Sequence, residues 1–310
     1  MRYIAIKKIL IIPGVAALLA VTPGCFTGVE STPRIQDTKG GHADSKSSAE
    51  DDFFASVQKQ PPGEWHPGKR FTVVDDRFKR LLGASAPPTD LKGHTLTLQG
   101  IIPVPTVLGD SVIEINFTSQ TSDTPLIFRT NLTPGEWRTR SAFSIPFLVE
   151  TDMIEVADRL LSGKQLWVKT RTGWINGRIR RFVPVEVDSV VPGNETYPMK
   201  VSFHAQDTPG EHGAVYVTDA GTRVDDRHAF AAYFSLTDMR SQYPGISNAN
   251  WQAIINGALI VGMSPEEVRL ALGAPQEIRN NNTSSILRQQ WLYADGRVLQ
   301  FENKALVSWN

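Results

Sequence analysis

The sequence predicts a multidomain protein with an all-β N-terminal region, made of two small antiparallel barrel-like repeats, followed by a C-terminal two-layer α+β domain. Residues 71 to about 218 are rich in alternating, β-branched and aromatic runs separated by Pro and Gly. Similar strand patterns recur within that region, which indicates an internal repeat. From residue 248 onward, helix-start signals and a hairpin signal replace the strand-rich pattern.

Composition restricts the classes of protein to which the chain can belong. Its 310 residues are enough for several domains, and 32 basic side chains balance 32 acidic ones. A protein that binds nucleic acid normally carries a basic excess, so we predict no nucleic-acid partner. The chain has one cysteine, which excludes an intramolecular disulfide and a thiolate metal cage.

Residues 1–24 have the pattern of an export signal peptide. Three basic residues precede the apolar run 9–21, which is short for a membrane-spanning helix because such a helix needs about 20 residues. The run ends in Thr-Pro-Gly-Cys25, which resembles a bacterial lipobox, where cleavage precedes the cysteine and the new N-terminus is acylated. We therefore expect lipidation at Cys25. The alternative is an ordinary secretory signal that leaves Cys25 as an unused thiol.

The residues after this cysteine predict a lipidated flexible tether over 25–63. They are mainly small, polar and charged, and such a stretch buries too little apolar surface to order itself. A tether of this length spans about 35 Å by random-coil scaling. Cleavage before Cys25 removes three basic residues and no acidic one, so lipid rather than a basic patch must attach the mature chain to the membrane.

The repeat divides the β region into a first module at 64–150 and a second at 151–247. An extra stretch of about 16 residues, placed in 173–192, is needed to align the second copy with the first. Short strands need closure or a partner to hide their edges, which is why we expect barrel-like modules; one irregular β-sandwich is the alternative. The matched runs are 91–98 with 161–168, 112–117 with 199–203, and 126–128 with 215–217.

Two short helices are expected at the start of the domain at 248–310. The first is predicted over 251–256, capped by Asn250 and ended by Gly257. The second begins at a capping box formed by Ser264 and Glu267, with proline at its first position.

An antiparallel sheet is expected to follow the helices. The strands 290–293 and 298–301 flank Asp-Gly, which signals a two-residue hairpin loop, and 305–309 is a third strand. That loop places Leu292 opposite Leu299, so both faces of the hairpin carry apolar groups. One face packs against the helices. The other carries Trp291 and Tyr293, and we predict that these residues, with Trp309, either pack on the β region or form an interaction surface.

Four segments of this domain carry a resemblance to a known family. They resemble the SmpA/OmlA domain, also called BamE-like, of small envelope lipoproteins, whose helix-helix-sheet fold is shared with β-lactamase inhibitor proteins. The chain as a whole is similar to multidomain lipoproteins of Bacteroidetes. This chain departs from the small family members because the domain lies far along the sequence from Cys25. The segments are VGMSPEEV at 261–268, LGAP at 272–275, QWLY at 290–293 and FEN at 301–303.

The sequence carries no recognisable catalytic motif. A nucleophile elbow, a phosphate-binding loop and a dinucleotide fingerprint are all missing from it. The acids and histidines between His204 and His228 are the one grouping that suggests a metal-dependent hydrolase, and that hypothesis stays as an alternative. We predict a protein that is not an enzyme, with no catalytic residues, no cofactor and no metal. Ser111 and Ser189 each stand in Asp-Ser-Val, which is similar to an O-glycosylation site of Bacteroidetes and leaves modification open.

These observations predict a non-catalytic, lipid-anchored protein of the cell envelope that acts by protein-protein binding. The resemblance implies an accessory role in outer-membrane assembly or integrity, with an envelope protein as partner and the membrane bound through lipid on Cys25. The alternative is an inhibitor-like module that blocks an envelope enzyme. We expect an outer-membrane lipoprotein, and the sequence leaves open which face of the membrane it occupies.

Overall fold

The structure is a computed structural model that describes residues 47–119, 122–221, 226–280 and 287–310. The predicted signal peptide and Cys25 lie outside the described residues. Three antiparallel sheets of five, six and four strands, with a few helices, make up the described part. This confirms the predicted β-rich multidomain architecture. The prediction of barrel-like closure is wrong, because each sheet is open and ends in two different strands.

The first sheet has the strand order β4-β3-β2-β1-β5. Its core is an apolar cluster of its own, in which Trp65 packs against Phe71 and Trp137. A short helix, α2 (Pro134–Thr139), contacts β3 and begins at a capping box formed by Thr133 and Glu136. The strands are β1 (Arg70–Val73), β2 (Thr95–Pro105), β3 (Ser111–Ser119), β4 (Ser122–Arg129) and β5 (Leu148–Glu150).

The second sheet has the order β11-β6-β8-β9-β10-β7, and helix α3 (Thr151–Leu161) packs on β8. The stretch 173–192, where the extra residues of the second copy are expected, contains two strands. One of them, β8, lies between β6 and β9, so the matched runs of the sequence repeat do not occupy equivalent sheet positions. The strands are β6 (Gln165–Val168), β7 (Trp174–Asn176), β8 (Val183–Pro192), β9 (Met199–Ala205), β10 (His212–Val217) and β11 (Phe234–Ser235), and helix α4 (Phe230–Tyr233) precedes β11.

The predicted tether at 25–63 differs from the structure in its last residues. A helix, α1 (Ala49–Phe54), begins at a capping box that Ser48 forms with Asp51. The ring of Phe54 stacks on Phe230 with centroids 4.7 Å apart, and Val57 is fully buried. The polar composition around α1 predicts disorder, but Phe54 and Val57 pack into the fold. The folded part of the chain therefore begins before residue 63.

The third unit has two helices, α5 (Asn248–Asn256) and α6 (Pro265–Leu272), and the sheet β12-β13-β14-β15. Helix α6 has the predicted capping box of Ser264 and Glu267. Helix α5 begins three residues earlier than predicted, because Ser247 rather than Asn250 accepts the capping hydrogen bond. The side chain of Asn250 instead donates to Glu267 at 2.7 Å and joins the two helices. The strands are β12 (Glu277–Asn280), β13 (Arg288–Leu292), β14 (Val298–Glu302) and β15 (Ala305–Trp309).

The second and third units share one hydrophobic core. A continuous cluster of buried residues runs from Phe54 through the second sheet to Leu306 in β15. The ring of Phe182, which precedes β8, stacks on Trp251 of α5 at 5.8 Å. The domain predicted at 248–310 is therefore packed on the second β unit rather than held at the end of a linker.

A buried charged cluster joins the first unit to the second. Lys69 Nζ lies 2.7 Å from Glu150 Oε2 and donates to Gln60 Oε1 at 2.8 Å. Lys59, next in the chain to Gln60, lies 3.3 Å from Asp219 Oδ1. Lys59 and Gln60 belong to the N-terminal segment, Glu150 lies in β5 of the first sheet, and Asp219 follows β10 of the second sheet. The cluster therefore connects the N-terminal segment with the first and second sheets.

Candidate interaction surface

Two of the three residues predicted for an interaction surface are buried. Trp291 is fully buried and Tyr293 is 8% exposed, so neither can contact a partner in this fold, and their assignment to a surface is wrong. They lie on the helix-covered face, because the guanidinium of Arg269 in α6 sits 4.6 Å from the Trp291 ring centroid. The hydroxyl of Tyr293 donates to the carbonyl of Gly273, which ends α6.

The hairpin register explains this error. The predicted two-residue loop is a three-residue loop closed by Tyr293 and Arg297, with Gly296 at φ 88°. That conformation favours glycine, and the longer loop places Trp291 rather than Leu292 opposite Leu299. A shift of one residue exchanges the two faces of a strand. Trp291 and Leu299 therefore belong to the buried face.

The third predicted residue, Trp309, is exposed. All seven tryptophans lie within the described residues, and Trp309, at 42% exposure, is the one classed as exposed. It stands at the end of β15, an edge strand. Tryptophan is enriched among the residues that dominate binding energy at protein-protein contacts.

Two exposed aliphatic side chains accompany this tryptophan. Val261 is 63% exposed and Val307 is 39% exposed. The Gly262 N–H donates to the Leu306 carbonyl at 2.8 Å, so the segment that carries Val261 runs beside β15. Val261, Val307 and Trp309 are named here the Trp309 surface. Sequence reasoning missed Val261 because it belonged to a family motif that was interpreted as a helix start.

The buried phenol of Tyr293 has a shifted pKa. Burial raises its pKa to about 12, although the nearby positive charges of Arg297 and Arg269 act in the opposite direction. A phenol whose folded-state pKa lies above its unfolded value of about 10 stabilises the fold below that value, and the contribution is lost as the pH rises through the window from 10 to 12.

We predict that Tyr293→Phe lowers the free energy of unfolding by about 1 kcal/mol near neutral pH, since the hydrogen bond to Gly273 is lost. Urea unfolding of both proteins at about pH 9 and about pH 11 should show that the free energy of unfolding falls less between these pH values in the variant than in the parent. An equal loss in both proteins would contradict the buried position of the phenol.

The histidines and acids of the hydrolase alternative are only partly brought together. His204 lies opposite His212 on β9 and β10, with ring centroids 6.3 Å apart, and its Nδ1 is 2.6 Å from Asp188 Oδ1. Asp207 and Glu211 bind Arg180 instead. Burial acts to raise the pKa of Asp207, but the hydrogen bonds and charge of Arg180, together with a hydrogen bond from Thr208, hold that pKa below its ordinary value.

His228, the far end of that grouping, belongs to a different cluster. Its ring stacks on Tyr197 at 3.9 Å, and its Nδ1 lies 2.6 Å from the Tyr233 hydroxyl. Among the described residues, no three His, Cys, Asp or Glu side chains are placed to hold a metal together. The strand pairing of His204 and His212 thus makes a polar sheet face.

The two Asp-Ser-Val motifs lie in different surroundings. Ser111 is at the start of β3, next to a hairpin tip, whereas Ser189 lies inside β8 opposite Ser202. Both side chains are half-buried. Of the two, Ser111 has the more open backbone environment for an added group.

No protein-family model, no curated protein and no solved structure matches the chain. Within the described ranges, no helix is long and apolar enough to cross a membrane. The fold class that the described residues define is a β-rich multidomain protein of three open antiparallel sheets. The resemblance of residues 248–310 to the SmpA/OmlA domain stays a prediction.

Proposed function

We propose that the chain is a non-catalytic, lipid-anchored protein of the bacterial cell envelope that acts by binding another envelope protein. The observation that carries the binding role is the Trp309 surface, where the one exposed tryptophan and the exposed Val307 share the edge strand β15 and the segment that carries the exposed Val261 runs beside that strand. Aromatic anchors with aliphatic neighbours are typical of protein-protein contacts. An accessory role in outer-membrane assembly or integrity fits the SmpA/OmlA resemblance.

The alternative of an inhibitor-like module depended on an aromatic surface that included Trp291 and Tyr293. Their burial removes the observation that favoured it. Trp309 alone supports a contact with a partner without indicating that the partner is an enzyme.

A quantitative capture experiment tests the binding role. Acylated protein is immobilised from detergent-solubilised envelopes, and the captured proteins are compared between the parent and Trp309→Ala. We expect the variant to lose its specific partner at least tenfold, since truncation of a central aromatic costs about 2 kcal/mol or more. Trp309→Phe should retain most of the binding.

Ile175→Ala is the matched control, because Ile175 is 71% exposed and lies on the second sheet, in β7. It removes exposed apolar surface without touching the Trp309 surface. Capture of the same proteins in equal amounts by Trp309→Ala and the parent would refute the role of this surface.

The anchoring part of the proposal has its own test. Mass spectrometry of the mature N-terminus should show an acylated Cys25, and Cys25→Ala should move most of the protein out of the membrane fraction. The absence of acyl mass, together with retained membrane partition of Cys25→Ala, would overturn the anchor and leave the Trp309 result unaffected.

A further inference from the structure

The hairpin formed by β2 and β3 extends past the rest of the first sheet and ends in an apolar tip. Strand β1 pairs with β2 over Thr95–Thr97 and Leu98 still bonds to the backbone of residues 68–69, so within the described part of the chain β2 has a free outer edge only beyond Leu98. At the tip, Val107 is fully exposed and Leu108 is 88% exposed. These are the two most exposed large hydrophobic side chains among the described residues. Turn positions are normally polar, so two aliphatic side chains there need an explanation.

The outer half of the arm is apolar on both faces. From residue 103 to residue 113 the one charged residue is Asp110. Glu114, opposite Ile102, is buried and paired with Arg129. Ile102 and Val104 lie on one face of the arm, and Pro103 lies on the other, because successive strand residues alternate between faces. A partner protein that docks on a sheet contacts one face or one edge, whereas a lipid phase surrounds what enters it. The all-round distribution therefore favours lipid.

Three backbone donors of the tip are paired within the hairpin. The Thr106 N–H donates to the Asp110 carbonyl at 2.6 Å, and the Gly109 N–H donates to the Thr106 carbonyl at 3.1 Å. The Leu108 N–H lies 3.3 Å from Thr106 Oγ1. Internal pairing of polar backbone groups is the main requirement for entering the apolar part of a bilayer.

The free edge of β2 is also poor in donors. Thr106 donates towards β3, and alternate residues of an antiparallel strand donate to the same side, so residues 103 and 105 direct their nitrogens outward. Both are prolines and carry no N–H. The edge therefore presents fewer unpaired donors to lipid, and it resists pairing with a strand of another protein.

We propose that Val107 and Leu108 insert into the interfacial region of a bilayer and give the protein a membrane contact additional to its lipid anchor. The inference rests on and deepens the proposed function, because a second apolar contact adds to the attachment that the acylated Cys25 provides. The insertion is shallow, since Asp110 follows the apolar pair and keeps its carboxylate at the headgroups. The ligand is zwitterionic lipid, because the tip carries no basic side chain to select anionic headgroups.

A site-specific fluorophore tests this contact. The chain from residue 26 onward keeps every described residue and has no cysteine, so Leu108→Cys creates a unique labelling position. With an environment-sensitive label at 108, vesicles of phosphatidylethanolamine and phosphatidylcholine should increase the emission, and lipid-borne quenchers should reduce it. Ile175→Cys carries the control label and should respond to neither. A silent label at 108, or equal responses at both positions, overturns the proposal.

Vesicle co-sedimentation of unlabelled protein provides the second measurement. Val107→Asp with Leu108→Asp should weaken vesicle binding about tenfold or more, whereas Ile175→Asp should change it less than about twofold. Raised salt should leave binding intact, because the contact is apolar. Circular dichroism checks that the variants fold, which we expect because both tip side chains are exposed.

Each outcome separates this inference from the anchoring proposal. If Cys25 is acylated but the label at 108 does not respond to vesicles, the hairpin contact alone is refuted. If the label at 108 responds to vesicles but the mature N-terminus carries no acyl mass, the anchoring proposal alone is refuted. A label at 108 that responds to solubilised envelope protein but not to vesicles would make the tip a protein contact and overturn the lipid assignment.

Discussion

Replacement of Trp291 by alanine is expected to lower the free energy of unfolding by about 3–5 kcal/mol. The side chain is fully buried in β13, and its ring lies 4.6 Å from the ring of Phe301. Its removal leaves a cavity between the sheet and α6, where the guanidinium of Arg269 lies 4.6 Å from the ring centroid. Because the second and third units share one core, we expect the loss to affect both.

Trp291→Phe is the matched control for this substitution. Among the described residues, the Trp291 Nε1–H has no hydrogen-bond partner, so phenylalanine removes an unpaired buried donor while it keeps most of the apolar volume. Urea unfolding followed by circular dichroism should place the cost of Trp291→Phe below about 1.5 kcal/mol. A cost of Trp291→Ala that is as small as that of a surface substitution would contradict the buried position of the ring.

Lys69→Met is expected to destabilise the protein by about 3–5 kcal/mol at neutral pH, because it leaves Glu150 as a buried charge without its partner. The exposed fractions of the two side chains are 2% for Lys69 and 6% for Glu150. The ammonium also lies 5.6 Å from the ring centroid of Trp65. The Gln60 N–H also donates to Glu150 Oε2, at 3.3 Å, but Oε1 has no hydrogen-bond partner among the described residues, so loss of Lys69 leaves the carboxylate poorly compensated.

The pH dependence of this variant follows from the pKa of Glu150. Burial raises that pKa, and Lys69 opposes the rise. Loss of Lys69 should raise the pKa further. The folded state then binds more protons than the unfolded state above about pH 4.3, so stability falls as the pH rises through the folded-state pKa. The destabilisation by Lys69→Met should therefore be smaller at about pH 5 than at about pH 8.

A double variant provides the decisive comparison for the ion pair. Lys69→Met with Glu150→Leu replaces both charges by apolar groups, and we expect it to recover most of the stability lost in Lys69→Met. Unfolding free energies of the parent, both single variants and the double variant complete the cycle. A double variant as unstable as the sum of the single variants would show that the two side chains act independently.

Local hydrogen bonding explains the parts of the fold that could be predicted. The start of α6 depends on Ser264 and Glu267, which bond to each other's backbone within four consecutive positions. The third sheet also has the predicted strands near 290, 298 and 305. Signals of this kind lie within a few residues of one another, so they are visible in the sequence.

Errors arose where a contact between distant residues decides between local alternatives. Ser247 and Asn250 are both residue types that can cap a helix. Ser247 caps α5, because the side chain of Asn250 donates a hydrogen bond to Glu267 of α6. The hairpin loop is closed by Tyr293 and Arg297, so it has three residues rather than the predicted two. The burial of Trp291 under α6 accompanies that register. Neither choice follows from turn propensity alone.

The sequence by itself determined the β-rich architecture, the helix-sheet character of residues 248–310 and the expectation of acylation at Cys25, because strand alternation, helix caps and the motif before Cys25 are local patterns. Only the tertiary structure decided that the sheets stay open, that α1 belongs to the folded part, and that Trp309 rather than Trp291 faces solvent. The physical reason is that burial depends on which distant surfaces meet. A shift of one residue in strand register exchanges the buried and exposed faces of a strand.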